Sequence, residues 1–157
     1  MKVELWLIGK TSPAWLQQGM DVYEKRLRHY LSFDVHILPP LKNTSKLPVP
    51  LLIEKEGEVL LKLLQPDDYL VLLDERGQTF TSKQFAAWME RQMVASPRRL
   101  IFAVGGAFGF SQAVRRRSNF SISLSAMTFS HQMVRLFFLE QLYRAMTIIR
   151  GEAYHND

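Results

Sequence analysis

The feature that most constrains the fold is a regular alternation between short apolar runs and longer amphipathic segments. The run YLVLLD at residues 69–74 is continuously apolar, which is typical of a central parallel strand covered on both faces. Comparable runs lie at residues 3–9, 33–38 and 100–106, and FSISLSAM at 120–127 is a fifth strand or an extended loop. Because helical patterns separate these runs, the order βαβαβαβαβα predicts an α/β domain with a mostly parallel sheet and helices on both faces.

Capping and turn residues predict several boundaries in this pattern. The tetrapeptide ERGQ at 75–78 predicts a turn after the third strand. Thr81 with Gln84 three residues later forms a plausible capping box, and Ser111 is a candidate cap for a short helix. Gly151 is expected to stop a long closing helix that begins at about residue 130.

The second helix shows the weakest pattern. It follows Pro50, and Gly57 in its interior costs about 1 kcal/mol relative to alanine. The residues expected on its buried face are Ile53, Leu60, Leu63 and Leu64.

Length and composition limit the classes of protein to consider. The 157 residues, 47% hydrophobic and 22% charged, fit one globular domain spanning 1–157. The opening residues are too charged for a signal peptide or a membrane span, so we expect a cytoplasmic protein without membrane association. The chain has no cysteine, and its four histidines lack metal-ligand spacing, so we expect no metal.

The basic residues leave two interpretations open. The net charge of +5 is compatible with a polyanionic partner such as RNA. The three basic tracts, at 25–28, 98–99 and 115–117, are either solvated faces or parts of one positive surface.

In a parallel sheet, ligands bind outside the carboxyl ends of the strands, so the loops after Asp74, Gly106 and Leu124 are the first candidates for a site. The stretch AVGGAFGF brings backbone amides close to a ligand or simply makes a tight turn. Its spacing is neither G-x-G-x-x-G nor a Walker loop, which argues against an ordinary dinucleotide site. The stretch LSAMTF at 124–129 either wraps an adenosyl-type ligand or is only a strand end and a helix start.

The closing helix is apolar on nearly all sides. In a short chain, such a helix needs cover on most of its surface, and a second subunit would supply it. Its polar exceptions Glu140 and Arg144 form an i,i+4 ion pair, or Arg144 faces a site and meets a phosphate or a polarised carbonyl.

Five motifs in order connect the chain to a known family. The stretches LLDERG, VGGAFGF, SLSAMTFSHQMVR and EQLYRAMTIIRG and the terminal YH resemble the RlmH family of SPOUT methyltransferases over essentially the whole length. The resemblance implies a homodimer with a C-terminal trefoil knot. It also implies that the dimer uses S-adenosylmethionine to methylate N3 of a pseudouridine in 23S ribosomal RNA on the assembled ribosome. Other possibilities are action on another RNA, or a non-catalytic dimer that binds ribosomes or nucleotides.

The resemblance also implies particular site residues. The expected cofactor residues are Leu73, Gly105, Leu124, Ser125, Ala126, Met127, Thr128 and Phe129. The expected catalytic residues are His155, Tyr154 and Arg144. The C-terminal tail, which is the segment after Gly151, is expected to fold over the cofactor pocket in the dimer.

As a hypothesis, His155 removes or relays the imino proton, Tyr154 stacks on or orients the base, and Arg144 steadies charge on the uracil ring.

The chain departs from the family at four positions. Ala153 and Ser130 replace prolines, and Asn156 and Asp157 replace a basic end, while Ser130 is suited to cap the closing helix.

Overall fold

The computed structural model describes residues 1–156, so Asp157 and its expected effect on the tail lie outside the described residues. Within this range, strands and helices alternate as the sequence predicts. The elements are β1 (Lys2–Ile8), α1 (Ala14–Leu27), β2 (Phe33–Leu38), α2 (Val49–Leu63), β3 (Tyr69–Thr79), α3 (Ser82–Ala95), β4 (Arg99–Val104), α4 (Gln112–Arg117), β5 (Phe120–Ser123) and α5 (Met133–Ile149).

The five strands form one sheet in the order β2-β1-β4-β3-β5, and every pair of neighbours is parallel. Strand β4 lies between β1 and β3, where Trp6 is level with Ala103 and Val71 with Phe102. The predicted α/β class and parallel sheet are therefore confirmed. The strand order is consistent with the trefoil knot that the family resemblance implies.

Helices cover both faces of the sheet. On one face, α1, α3 and α5 pack on inward side chains such as Val71 and Phe102. On the other face, α2 and α4 pack on the alternate residues, including Leu70 and Leu72. Since successive side chains of a strand point to opposite faces, a run buried on both faces must be apolar throughout, as β3 is at residues 69–73.

Strand β3 does not turn after Asp74, so the prediction of a turn at ERGQ is wrong. The strand continues to Thr79, and its register against β5 shifts between Leu73 and Gln78, both of which are level with Ile122. The intervening residues 74–77 form a bulge. Gly77 permits it, because a Cβ there would lie 2.6 Å from the backbone of Ile122.

The predicted helix caps are confirmed. Thr81 and Gln84 form the capping box of α3, and the Ser111 hydroxyl accepts the Val114 N–H of α4. At the end of α5, Gly151 has a positive φ of 68°, which a glycine adopts without strain. Helix α5 begins at Met133 rather than near residue 130, and the Ser130 hydroxyl accepts the Met133 N–H as a local cap.

The predicted buried face of α2 is partly wrong. Leu60 is buried, and Leu64 packs against the same cluster, but the side chain of Leu63 is 48% exposed. With 3.6 residues per turn, the residue at i+4, Leu64, points closer to the buried direction of Leu60 than the residue at i+3, Leu63, does. Gly57 is also buried, since α4 approaches the backbone of α2 at this point.

The close approach at Gly57 yields the first prediction. A Cβ at residue 57 would lie 2.4 Å from the Ser111 Oγ that caps α4, so Gly57→Ala should separate α2 from α4. We expect a net loss of about 1 to 2 kcal/mol in the free energy of unfolding, because overpacking and cap loss exceed the gain in helix propensity. Urea denaturation measures this change.

Gly19 in α1 is the matched control. Its Cβ would meet only the end of the Leu136 side chain, at 3.3 Å. Gly19→Ala should therefore leave stability unchanged or raise it by up to about 1 kcal/mol. Equal effects of the two substitutions would show that the contact between α2 and α4 does not require glycine.

Candidate active site

A cavity of about 320 Å³ lies beside the bulge of β3 and at the carboxyl ends of β4 and β5, a volume in the range of small-molecule sites. It is the place that strand polarity predicts for a ligand. The expected cofactor residues that line it are Leu73, Gly105, Leu124, Ser125, Met127, Thr128 and Phe129. Ala126 belongs to the same loop but does not line the cavity.

The glycine-rich segment after β4 makes a tight turn. Gly106 and Gly109 form an antiparallel bridge, and Gly109 has a positive φ of 87°. A Cβ on Gly105 would lie 3.2 Å from the backbone of Gly109, so a larger residue would press on the turn. Gly105, Gly106 and Gly109 also line the cavity, so the turn leaves backbone exposed to a ligand.

The loop at 124–129 is shaped by serine hydroxyls. The Ser123 hydroxyl donates to the Ser125 carbonyl oxygen at 2.9 Å, and the Ser125 hydroxyl accepts the Met127 N–H at 3.0 Å. Within the described chain, residues 126–129 form no backbone–backbone hydrogen bond. Apart from the Met127 N–H, their backbone donors and acceptors therefore remain available to solvent or to a ligand in the cavity.

The cavity also contains charged residues that sequence reasoning missed. Asp74 and Arg115 form an ion pair on its wall, and the Thr128 hydroxyl donates to Glu75 at 3.3 Å across its mouth. Asp74 and Glu75 lie in the bulge of β3. Because the sequence analysis predicted a turn at ERGQ instead of a bulge, it did not place these two side chains in the cavity. The signals in the sequence were the apolar run ending at Asp74 and the motif LLDERG.

His131 lines the same cavity. Burial, followed by the charge of Arg135, lowers the pKa of His131 below its usual value. Its imidazole is therefore neutral at pH 7 and presents a polar but uncharged wall.

Arg135 is a further residue whose role the sequence analysis did not predict. Its side chain is fully buried, and its guanidinium donates to the carbonyl oxygens of Ile8 at 2.9 Å and Gly9 at 3.0 Å. It also donates to the Thr11 hydroxyl at 3.1 Å and the His131 carbonyl at 3.2 Å. Arg135 thereby fixes the start of α5, beside the cavity, to the end of β1.

The three expected catalytic residues form a cluster around the second half of α5. Arg144 donates to Glu140 at 2.5 Å, which confirms the predicted i,i+4 ion pair. The Arg144 guanidinium also lies 4.7 Å from the centre of the Tyr154 ring, and its Nη1 is 3.0 Å from Nδ1 of His155. The Tyr154 hydroxyl donates to Glu140 at 3.0 Å. The tail therefore folds back on α5 and is not frayed.

The contact between Arg144 and His155 defines the tautomer of the imidazole. Arginine only donates, so Nδ1 of His155 must accept, and the ring proton of the neutral histidine lies on Nε2. In this arrangement, Arg144 donates a hydrogen bond to the Nδ1 lone pair, which is the site where His155 would otherwise accept a proton.

Tyr30, in the turn after α1, anchors the tail from the side. Its hydroxyl donates to Glu152 at 2.6 Å, and the Arg150 guanidinium lies 4.4 Å from the centre of its ring. The bond to Glu152 is the largest cause that raises the pKa of Tyr30 to about 12, so the hydroxyl keeps its proton throughout the neutral range.

Tyr30→Phe is therefore expected to loosen the tail without changing the packing of the ring. Loss of a hydrogen bond worth about 0.5 to 1.5 kcal/mol should speed amide exchange at residues 152–155 about 2- to 10-fold. Hydrogen exchange with mass or NMR detection measures the rates. Tyr69→Phe is the control, since within the described chain the Tyr69 hydroxyl forms no hydrogen bond. Unchanged rates in Tyr30→Phe would show that Tyr30 does not hold the tail.

Within one chain, the cavity is separate from the cluster formed by Arg144, Tyr154 and His155, which we call the tail cluster. Val134 lines the cavity and Arg144 belongs to the cluster, about 15 Å apart along the axis of α5. Neither Arg144, Tyr154 nor His155 lines the cavity. A single described chain therefore does not bring the expected catalytic residues to the expected cofactor site.

Residues 1–156 contain no group of three or more histidine, aspartate or glutamate side chains arranged to hold a metal ion. In the same part of the chain, no helix is both long and apolar enough to cross a membrane.

Comparisons with known proteins identify the family of this chain. The model of a family described as "Predicted SPOUT methyltransferase" matches residues 1–155, so the chain belongs to the SPOUT methyltransferase family. It is similar to proteins named "Ribosomal RNA large subunit methyltransferase H". The one from Parabacteroides distasonis is 51% identical over all of both chains, and the one from Cytophaga hutchinsonii is 52% identical over 99% of this chain and all of its own. The Bacteroides fragilis protein is 47% identical over the whole of both chains.

Proposed function

We propose that this chain, as one domain spanning 1–157, is a homodimeric, S-adenosylmethionine-dependent methyltransferase acting in the cytoplasm. Its substrate is N3 of a pseudouridine in 23S ribosomal RNA on the assembled ribosome. One observation carries the proposal: the cavity beside the bulge of β3 and the carboxyl ends of β4 and β5 is lined by seven of the eight residues that the family resemblance assigns to the cofactor. Relatives about half identical over their full lengths are named as ribosomal RNA methyltransferases.

The residues around the cavity suit S-adenosylmethionine. Gly105 keeps one wall free of side chains, and the loop at 126–129 offers backbone groups for the adenine edge. Apolar contacts for the ring come from Leu73, Leu124 and Phe129. When bound, the cofactor supplies a methyl group that its sulfonium has already activated.

The protein then has to orient the base and accept the N3 proton. Tyr154 is suited to orientation, because its ring lies edge-on to Tyr143 at 4.8 Å and beneath Arg144. Burial is the largest cause that raises the pKa of Tyr154 well above its usual value, so its hydroxyl stays protonated and does not serve as the base.

His155 becomes a base only if Arg144 releases its Nδ1 lone pair. We propose that the target uracil ring takes the place of His155 as a partner of Arg144. The guanidinium then faces a uracil carbonyl, where negative charge develops as the N3 proton leaves. The same exchange frees Nδ1 of His155 to accept that proton. Arg144 and His155 thus act as a pair.

The separation of cavity and tail supports a dimer in which the tail of one subunit meets the cavity of its partner. Large apolar side chains are exposed on the single chain, among them Trp15 at 61%, Met127 at 76% and Phe137 at 41%. Exposed residues of this size on α1, on α5 and beside the cavity are typical of surfaces that another subunit covers. The second copy is the cover expected for the apolar closing helix.

The test is transfer of labelled methyl from S-adenosylmethionine to assembled ribosomes and to stripped ribosomal RNA, both from cells lacking this protein. Label on ribosomes at a single pseudouridine N3 is the expected result. Label on another RNA would retain the reaction and change the substrate. Cofactor binding with no label on any RNA would overturn the proposal and favour a binding dimer.

A further inference from the structure

Two exposed arginines, Arg26 and Arg150, flank the tail. Arg26 lies 5.5 Å from the centre of the Tyr23 ring and 5.4 Å from that of Tyr143, and Arg150 covers Tyr30. Within residues 1–156, neither arginine forms a salt bridge with a carboxylate. The nearby carboxylates have other partners: Glu24 pairs with Arg28, Glu140 with Arg144, and Glu152 accepts the Tyr30 hydroxyl.

Three of the five arginines in the other two basic tracts have structural partners. Arg99 pairs with Asp68, and Arg115 pairs with Asp74 at the cavity. Arg117 donates to the carbonyl oxygens of Gln65 and Asp68. The tract at 25–28 is therefore the one that combines exposed cations with proximity to the tail.

Resting on the proposed function, we infer that Arg26 and Arg150 bind phosphates of the ribosomal RNA on either side of the target nucleotide. Tyr143 connects the two positions: its ring lies 5.8 Å from that of Tyr30 and 4.8 Å from that of Tyr154. A phosphate held at Arg26 or Arg150 would thus keep the backbone beside the tail while the base reaches His155. These phosphate contacts position the RNA and carry no base specificity.

The chemistry of this face favours RNA over a second copy of the chain. Guanidinium groups lying over aromatic rings keep their N–H edges directed outward, and those edges match phosphate oxygens. A second copy that met this face with the same face would bring the same cations together, which is unfavourable, whereas in the proposed dimer the tail meets the cavity of the partner. RNA supplies the opposite charge.

The experiment compares Arg26→Gln, Arg150→Gln and the double variant with wild type in methyl transfer to ribosomes over a salt series. Each lost phosphate contact should lower the slope of log affinity against log salt by about 0.7 to 0.9. We expect KM for ribosomes to rise more than kcat falls, and lysine at either position to restore the slope. Affinity for S-adenosylmethionine, measured by calorimetry, should not change.

Arg91→Gln is the matched control, because Arg91 is an exposed arginine on α3 whose side chain makes no hydrogen bond or salt bridge within residues 1–156. A wild-type salt slope and KM in the double variant would overturn the inference, and so would an equal effect of Arg91→Gln. If the wild-type protein transfers no methyl to ribosomes while binding the cofactor, the proposed function itself fails. The two failures are therefore distinguishable.

Discussion

Replacing His155 by alanine should lower kcat for methyl transfer about 10²- to 10⁴-fold, the usual contribution of a positioned general base. The reason is loss of the acceptor for the N3 proton. Within one chain, His155 does not line the cavity. Affinity for S-adenosylmethionine should therefore stay at the wild-type value. Single-turnover methyl transfer and calorimetry measure the two quantities separately.

His29→Ala controls for removal of an exposed histidine at the end of α1. It should retain wild-type turnover. Deleting residues 154–157 should reproduce the loss in His155→Ala and also leave cofactor binding intact. Wild-type turnover of His155→Ala between about pH 6 and pH 9, the range around the ordinary pKa of histidine, would exclude the base role.

Arg135→Met is expected to have the largest effect on stability. The substitution keeps an unbranched apolar side chain but removes every donor to the carbonyl oxygens of Ile8, Gly9 and His131. Leaving these groups unpaired in a buried site should cost about 3 to 5 kcal/mol of unfolding free energy. For a chain of this size, that cost corresponds to a fall in Tm of about 6 to 20 °C.

Urea denaturation and calorimetry of Arg135→Met test this expectation. Arg91→Met is the control on an exposed helix surface, where a change within about 0.5 kcal/mol is usual. A loss below about 1 kcal/mol in Arg135→Met would show that the four hydrogen bonds are replaced by others, and that Arg135 does not fix α5 to β1.

Much of the fold and of the cavity could be predicted from local sequence. The apolar runs locate the strands, and the rule that ligands bind at their carboxyl ends leads to the loops after Gly106 and Leu124. The turn at ERGQ was wrong for a physical reason: a polar segment containing glycine suits a turn and a bulge equally well. Only the pairing of β3 with β5 distinguishes them, and that pairing is not local.

Arg135 and the tail could not be derived in the same way. Arg135 falls among apolar residues of α5, and its burial depends on carbonyl groups at the far end of β1. The tail folds back with Glu152 bonded to Tyr30, which lies more than a hundred residues earlier in the chain. Only the family resemblance singled out the terminal Tyr154 and His155, and the roles of both residues stay predictions.

The position of β4 has a consequence for how this protein reaches its native state. Strands β1 and β3 are not neighbours, because β4 fills the gap between them. Until residues 99–104 insert, both strands present open hydrogen-bonding edges and apolar faces, which is the condition under which chains pair with one another. Refolding from denaturant should therefore be slow and its yield should fall as protein concentration rises, even though the native sheet leaves neither of these edges open.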